Sequence, residues 1–134
     1  MTERDRWWLT ATVWMEARGE SRQGKLAVAY VLLNRLATKR WGERAGEVCL
    51  APLQFSCWNH DSPTRKFLAR VDEMAGSWID SENAVALAIH GVKPDPTEGA
   101  LHYYNPNVVH PSWDLPPQKP RVVIGHHVFV RGIA

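Results

Sequence analysis

A chain of 134 residues can bury a real core within one domain but is too short for a catalytic unit plus a separate binding module. Its formal charge of +2 and pI of about 8.7 come from basic residues that are scattered apart from Lys39-Arg40 and Arg65-Lys66, so no nucleic-acid partner is expected. The N-terminal Met-Thr-Glu-Arg-Asp-Arg carries both signs of charge and leads into no long apolar run. Neither a signal peptide nor membrane insertion is therefore expected, and the chain reads as cytoplasmic when synthesised. Seven tryptophans are the compositional anomaly. Their rings serve as core filler or as stacking surfaces for sugars, and core is the favoured reading for most of them.

In chain order, a first helix is expected from near Thr2 to about Arg18. Trp7, Trp8, Ala11, Trp14 and Met15 recur at three- and four-residue steps and mark a face for burial, widened by Leu9, Val13 and Ala17. Gly19 is expected to stop this helix and Ser21 to cap the next, whose stripe of Leu26, Ala27, Tyr30, Val31, Leu33 and Leu36 ends before Trp41-Gly42. Between Gly42 and Pro63 the periodicity fails. Val48-Cys49-Leu50 reads as one short turn, and Gln54 to Asn59 mixes aromatic with small polar side chains, as a ligand-lining loop or a loop plugging the core would. A third helix is expected over Lys66 to Gly76, with Phe67, Leu68, Val71 and Met74 inward. A fourth should run from Asp80 or Ser81 to Gly91. Ala100–Tyr104 and Arg121–Val130 read as paired strands joined by the proline-rich loop through Asn105-Pro106 and Pro116-Pro117. The fold class is α+β: mainly helical, with a small antiparallel β element at the C-terminus.

Glu16 is the residue with the most chemistry in its placing. An apolar helix surrounds it, so its carboxylate is either paired or desolvated and raised in pKa, the condition for a proton donor near neutral pH. Glu20 lies one helical turn on. On residue types alone, both glutamates can instead pair with Arg18, Arg22 or Lys25 at a helix junction, and that reading is favoured. His102, His126 or His127 with Asp114 could form the zinc site of an amidase or peptidase, although no H-E-x-x-H or Cys-x-x-Cys spacing is present and His126-His127 alternate across a strand. No serine-nucleophile elbow and no glycine-rich phosphate loop is found. Cys49 and Cys57 can bridge across a loop or stand as two buried thiols, the latter favoured in a cytosolic chain.

Ordered blocks along the chain change the balance. Glu16-Ala-Arg-Gly-Glu20, Gly24-Lys-Leu-Ala-Val-Ala and Val31-Leu-Leu-Asn-Arg35 come first. Gln54-Phe55-Ser56 with Trp58, Ala100-Leu-His-Tyr103, Trp113 and Ile124-Gly-His-His-Val-Phe129 follow. Together they resemble the SleB/CwlJ-type cell-wall hydrolases, the group containing spore-cortex-lytic enzymes, over almost the whole chain. The resemblance implies a lysozyme-like fold over residues 1–134 as a single catalytic domain. It also implies cleavage of peptidoglycan glycan strands, by lytic transglycosylation or by hydrolysis, with Glu16 as the general acid.

The resemblance implies substrate contacts from Gln54, Phe55, Ser56, Trp58, His102, Tyr103 and Tyr104, and leaves Glu20 as a second carboxylate or a structural support. No cofactor or metal is implied, and a monomer acting on glycan strands is expected. Transglycosylation needs one carboxylate, whereas hydrolysis normally uses a second about 5 Å away for retention or about 6.5–9.5 Å for inversion. A short chain without an export signal suits a phage or prophage endolysin released through a holin. A zinc amidase and a glycan-binding module without turnover are the alternatives from other classes.

Overall fold

The computed structural model describes residues 1–51 and 55–133; Gln54 lies outside them, as does the side chain of Met74. Helix α1 spans Glu3–Ala17 and opens with a reciprocal cap, in which the Thr2 hydroxyl accepts the Asp5 N–H at 3.1 Å and the Asp5 carboxylate accepts the Thr2 N–H at 2.9 Å. It ends one residue before Arg18, whose N–H reaches Trp14 O. Gly19 keeps a negative φ and is not a left-handed stop. From Leu9 to Met15 every residue is buried, so α1 is covered all round rather than along one stripe. Ser21 then caps α2, Arg22–Thr38, accepting the Gly24 N–H at 3.2 Å.

A short α3, Ala45–Leu50, occupies the stretch where periodicity fails, and a 3-10 turn follows at Ser56–Trp58. The expected third helix is a 3-10 segment over Arg65–Met74, broken by non-helical backbone at Arg70. It runs directly into α4, Ala75–Ile89, which therefore starts several residues before Asp80. Phe67, expected inward, is 38 % exposed. Helix α4 ends as the sequence implies: Gly91 has a φ of +63°, and the Val92 and Gly91 N–H groups donate to Leu87 O and Ala88 O.

Helix α1 packs against α2, α3 and α4, and α2 packs against α4. Trp14, fully buried, sits at this junction with its indole N–H on Ser77 Oγ at 2.9 Å and the Arg18 guanidinium 4.7 Å above its ring. Most tryptophans are core or core-facing: Trp8, Trp41, Trp58 and Trp78 are partly buried against the core, while Trp7 and Trp113 are exposed. Cys49 and Cys57 are buried free thiols.

Three strands close the chain: β1 His102–Tyr104, β2 Arg121–Ile124 and β3 His127–Val130. The stretch expected to be one strand, Arg121–Val130, is a hairpin turning at Gly125-His126. Gly125 takes a φ of +57°, the first turn position where such tight hairpins favour glycine. Strand β3 is central and antiparallel to both neighbours, with Tyr103 opposite Phe129 and Ile124 opposite His127. Alternation puts Tyr103, His127 and Phe129 on one face. Phe129 is fully buried and joins the same core as α1 and α2. Among the described residues no helix is long and apolar enough to cross a membrane.

Candidate active site

The last turn of α1 delivers Glu16 to the seam between the helices and the sheet. Tyr103 of β1 donates its hydroxyl to Glu16 Oε1 at 2.8 Å, the Cys57 thiol hydrogen-bonds to the carboxylate, and the positive charge of Arg35 on α2 acts on it. Burial is the dominant influence and raises the Glu16 pKa, with these three partners only partly offsetting it. Burial and then the neighbouring Glu16 charge hold Tyr103 well above the ordinary phenol value, so it stays a donor. The Cys57 thiol is pushed up for the same two reasons.

Arg35 is itself buried. Its Nε donates to Leu101 O at 2.6 Å, its guanidinium lies 4.3 Å over Trp41 and 4.9 Å over Phe55, and burial lowers its pKa to about 10. Even so lowered, it remains cationic at neutral pH.

A groove of about 420 Å³ opens at Glu16, lined by Ser56, Asn59, Tyr103, Tyr104, Asn105, Val108, Val109 and His127. Glu16 is the one carboxylate among those residues. A larger cleft of about 830 Å³ runs between the start of α1 and α3, past Trp8, Trp41 and Arg44, and contains none of this chemistry. The groove wall beyond Tyr104 is tied down by Asp114, whose carboxylate receives Arg121 at 2.7 and 2.6 Å and the Tyr104 hydroxyl at 2.6 Å. The Arg121 hydrogen bonds outweigh burial and hold Asp114 below the usual carboxylate range.

Glu20 has a different occupation. Its carboxylate accepts the backbone N–H of His126 at 2.9 Å and meets His126 Nδ1 at 2.6 Å, with His127 Nδ1 at 3.7 Å. Burial works to raise its pKa, but the hydrogen bonds from His126 prevail and lower it. The pairing expected with Arg18, Arg22 or Lys25 is thus replaced by one with the hairpin. Arg18 lies over the Trp14 and Phe67 rings, and Lys25 Nζ donates to the Glu20 backbone carbonyl.

Of the residues singled out from sequence, Glu16, Ser56, Tyr103 and Tyr104 come together at the groove, and Gln54 lies outside the described residues. Phe55 is 3 % exposed and packs beneath Tyr103 in the core, while Trp58 donates to Thr12 Oγ1 at 2.8 Å within a cluster with Trp7 and Trp8. Their aromatic mass is used for packing, because the short turn at Ser56–Trp58 must bury its flanks to stay in place. His102 lies between Trp41 and Trp113, on the sheet face opposite Tyr103.

The zinc grouping does not assemble. His102 is flanked by tryptophans, Asp114 is held by Arg121, and His126 is held by Glu20. Among the described residues no group of three or more His, Cys, Asp or Glu side chains is placed to hold a metal ion. His126 sits in the turn rather than on a strand, so the expected strand alternation does not separate it from His127. The sequence did not single out Arg35, Asn105 or His127 as groove or carboxylate partners, and it marked Cys57 and Asn59 only as part of the Gln54–Asn59 stretch that could line a ligand. Arg35 and His127 stand in the blocks Val31–Arg35 and Ile124–Phe129, whereas Asn105 carries no spacing signal of its own.

The fold, a mostly helical body with a small three-stranded antiparallel sheet, is similar to that of two solved catalytic domains. The catalytic domain of the germination-specific lytic transglycosylase SleB from Bacillus anthracis is similar at a TM-score of 0.72 and 28 % identity, over 98 % of this chain and 97 % of that one. The catalytic domain of the Bacillus cereus SleB protein is similar at a TM-score of 0.73 and 28 % identity, over 98 % and 92 %. The chain belongs to the Cell Wall Hydrolase family, whose sequence model matches residues 19–130.

It is also 34 % identical to the Spore cortex-lytic enzyme of Bacillus subtilis over 122 residues, and 33 % identical to that of Halalkalibacterium halodurans over 122 residues. Each match covers 90 % of this chain. The chain spans about a third of the length of these relatives, 33 % and 35 %.

Proposed function

We propose that residues 1–134 act as one catalytic unit that cuts the glycan strand of peptidoglycan between N-acetylmuramic acid and N-acetylglucosamine, by lytic transglycosylation with Glu16 as both acid and base. The observation that carries this reading is the single desolvated carboxylate in the groove. The family match begins at Gly19, downstream of Glu16, so the role of Glu16 is argued from its surroundings.

The steps follow from those surroundings. Protonated Glu16 donates its proton to the glycosidic oxygen as the bond to the muramoyl C1 breaks and an oxocarbenium-like centre develops. The carboxylate left behind is stabilised by Tyr103, Cys57 and Arg35. It then takes the proton of the muramoyl C6 hydroxyl as that oxygen bonds to C1 and closes a 1,6-anhydro ring, which returns Glu16 to its starting state. Ser56, Asn59, Tyr104 and Asn105 supply hydrogen-bonding groups along the sugar path. Glu20, bound to the hairpin, supports the site rather than acting as a second catalytic carboxylate.

Mass analysis of muropeptides after digestion of purified sacculi tests this directly. Anhydromuramoyl ends are expected from the wild-type protein. Reducing ends would replace transglycosylation by hydrolysis, and an unchanged glycan would overturn the enzymatic reading.

A further inference from the structure

The groove contains a second ionisable side chain that the steps above leave idle. His127 opens β3 on the face that carries Tyr103 and Phe129, with ring centroids 5.0 Å from Tyr103 and 6.0 Å from Phe129. Its side chain is 11 % exposed, and its two nitrogens differ sharply in surroundings. Nδ1 is buried without a hydrogen bond and faces Glu20 Oε1 at 3.7 Å, beyond hydrogen-bond reach but close enough for the carboxylate to favour a proton on that nitrogen. Nε2 is not among the sealed polar atoms and has no hydrogen-bond partner among the described residues, so it is the nitrogen that opens on the groove.

We infer that His127 is a substrate-binding residue: Glu20 fixes its tautomer through Nδ1, and its Nε2 accepts a hydrogen bond from a hydroxyl or acetamido N–H of the glycan lying beside Glu16. Glu20 is the positioning residue in this pair. The inference rests on the reading of the groove as a glycan site and adds to it a contact and its polarity. Charged and titratable groups around the ring are Glu20 on the α1–α2 connection, His126 in the hairpin turn, and Glu16 and Tyr103 along the groove. Burial first, and then His126, lower the His127 pKa against the opposing pull of Glu20, which keeps the ring neutral and able to accept.

The test uses a soluble tetrasaccharide of the peptidoglycan glycan strand and calorimetry in a Glu16→Gln background, where turnover does not interfere. Adding His127→Ala is expected to weaken binding at least tenfold, His127→Gln to restore part of it, and Glu20→Gln to weaken it less than His127→Ala. Affinity of the Glu16→Gln protein should fall as pH drops below the ordinary histidine value of 6.5, and this fall should be absent with His127→Gln. Binding within twofold of the Glu16→Gln protein after His127→Ala would overturn the role of His127 alone. A Glu16→Gln protein that is folded yet binds no tetrasaccharide would overturn the glycan reading of the groove, and the His127 contact with it.

Discussion

A carboxylic acid at the end of a buried helix is held at a cost to the fold, and Glu16 makes that cost measurable. Burial lifts its pKa in the folded state above 4.5, so the folded chain holds the proton more tightly than the unfolded chain does. Stability therefore declines as pH rises from the unfolded value through the folded one, and above both the full cost is present, at about 1.4 kcal/mol per pKa unit. Glu16→Gln removes the charge and keeps an acceptor for the Tyr103 hydroxyl. We predict a higher Tm than wild type at pH 7, a difference that vanishes below about pH 4.5, and a loss of turnover of about 10²–10⁴-fold, the usual worth of a positioned general acid. Thermal melts at several pH values with muropeptide assays on the same samples check both halves. An unchanged Tm at pH 7 would mean that Arg35, Tyr103 and Cys57 compensate the burial of the charge in full.

At the scale of elements, the β2–β3 hairpin is fixed from outside itself. Glu20, on the connection between α1 and α2, accepts the His126 N–H in the turn, and a Cβ on Gly125 would fall 2.5 Å from Glu20 Oε1. Gly125→Ala thus strains a backbone φ of +57° and pushes away the carboxylate that anchors the turn. A loss of about 2 kcal/mol is expected, roughly 7 °C in Tm for a chain of this size, together with weaker glycan binding because His127 lies two residues on, at the end of the turn. Calorimetric melting checks the first effect, and a Tm within about 1 °C of wild type would contradict it.

The same hairpin shows why periodicity alone misplaced this region. Arg121 to Val130 is apolar enough to read as one strand, and the only punctuation is Gly125, whose role becomes visible once Glu20 is seen to hold the turn. Local signals did locate Thr2, Ser21 and Gly91, since caps are written in neighbouring residues. The Arg65–Met74 segment misled in the opposite way: its apolar spacing suits a helix, but with Phe67 exposed and Arg70 out of helical geometry, a 3-10 segment suffices to reach α4.

For the whole molecule, what was legible and what was not divides by sequence distance. Glu16 stands out because its apolar neighbours are on its own helix. Tyr103 and His127 reach the groove, and Arg35 and Cys57 the Glu16 carboxylate behind it, from four other segments, and only the closure of the sheet onto α1 and α2 makes them one site. That closure also sets how the fold responds to acid. Burial lowers the pKa of His102 to about 4 and lowers that of His127, so both are held neutral in the folded state while the unfolded chain protonates near 6.5. For such groups stability is fully present above 6.5 and is lost as pH falls below it, for His102 down to about 4.

Asp5, Glu20 and Asp114, lowered from 3.8, 4.5 and 3.8, extend the loss to more acid pH, whereas Glu16 acts with the opposite sign and regains its cost as it protonates. Replacing Glu16 by Gln takes away the one opposing contribution, so that the acid destabilisation from the histidines, which begins above the carboxylate range, can be read by itself. Denaturant titrations of the Glu16→Gln protein at pH 7.5, 6, 5 and 4 should show unfolding free energy falling from pH 6 downward. His102→Asn should flatten the segment between 6.5 and 4 by roughly 1–2 kcal/mol once solvent access to the ring is discounted. A Glu16→Gln profile flat from pH 7.5 to 5 would show that neither imidazole is held neutral by the fold, and would remove the basis for treating His127 as an acceptor at neutral pH.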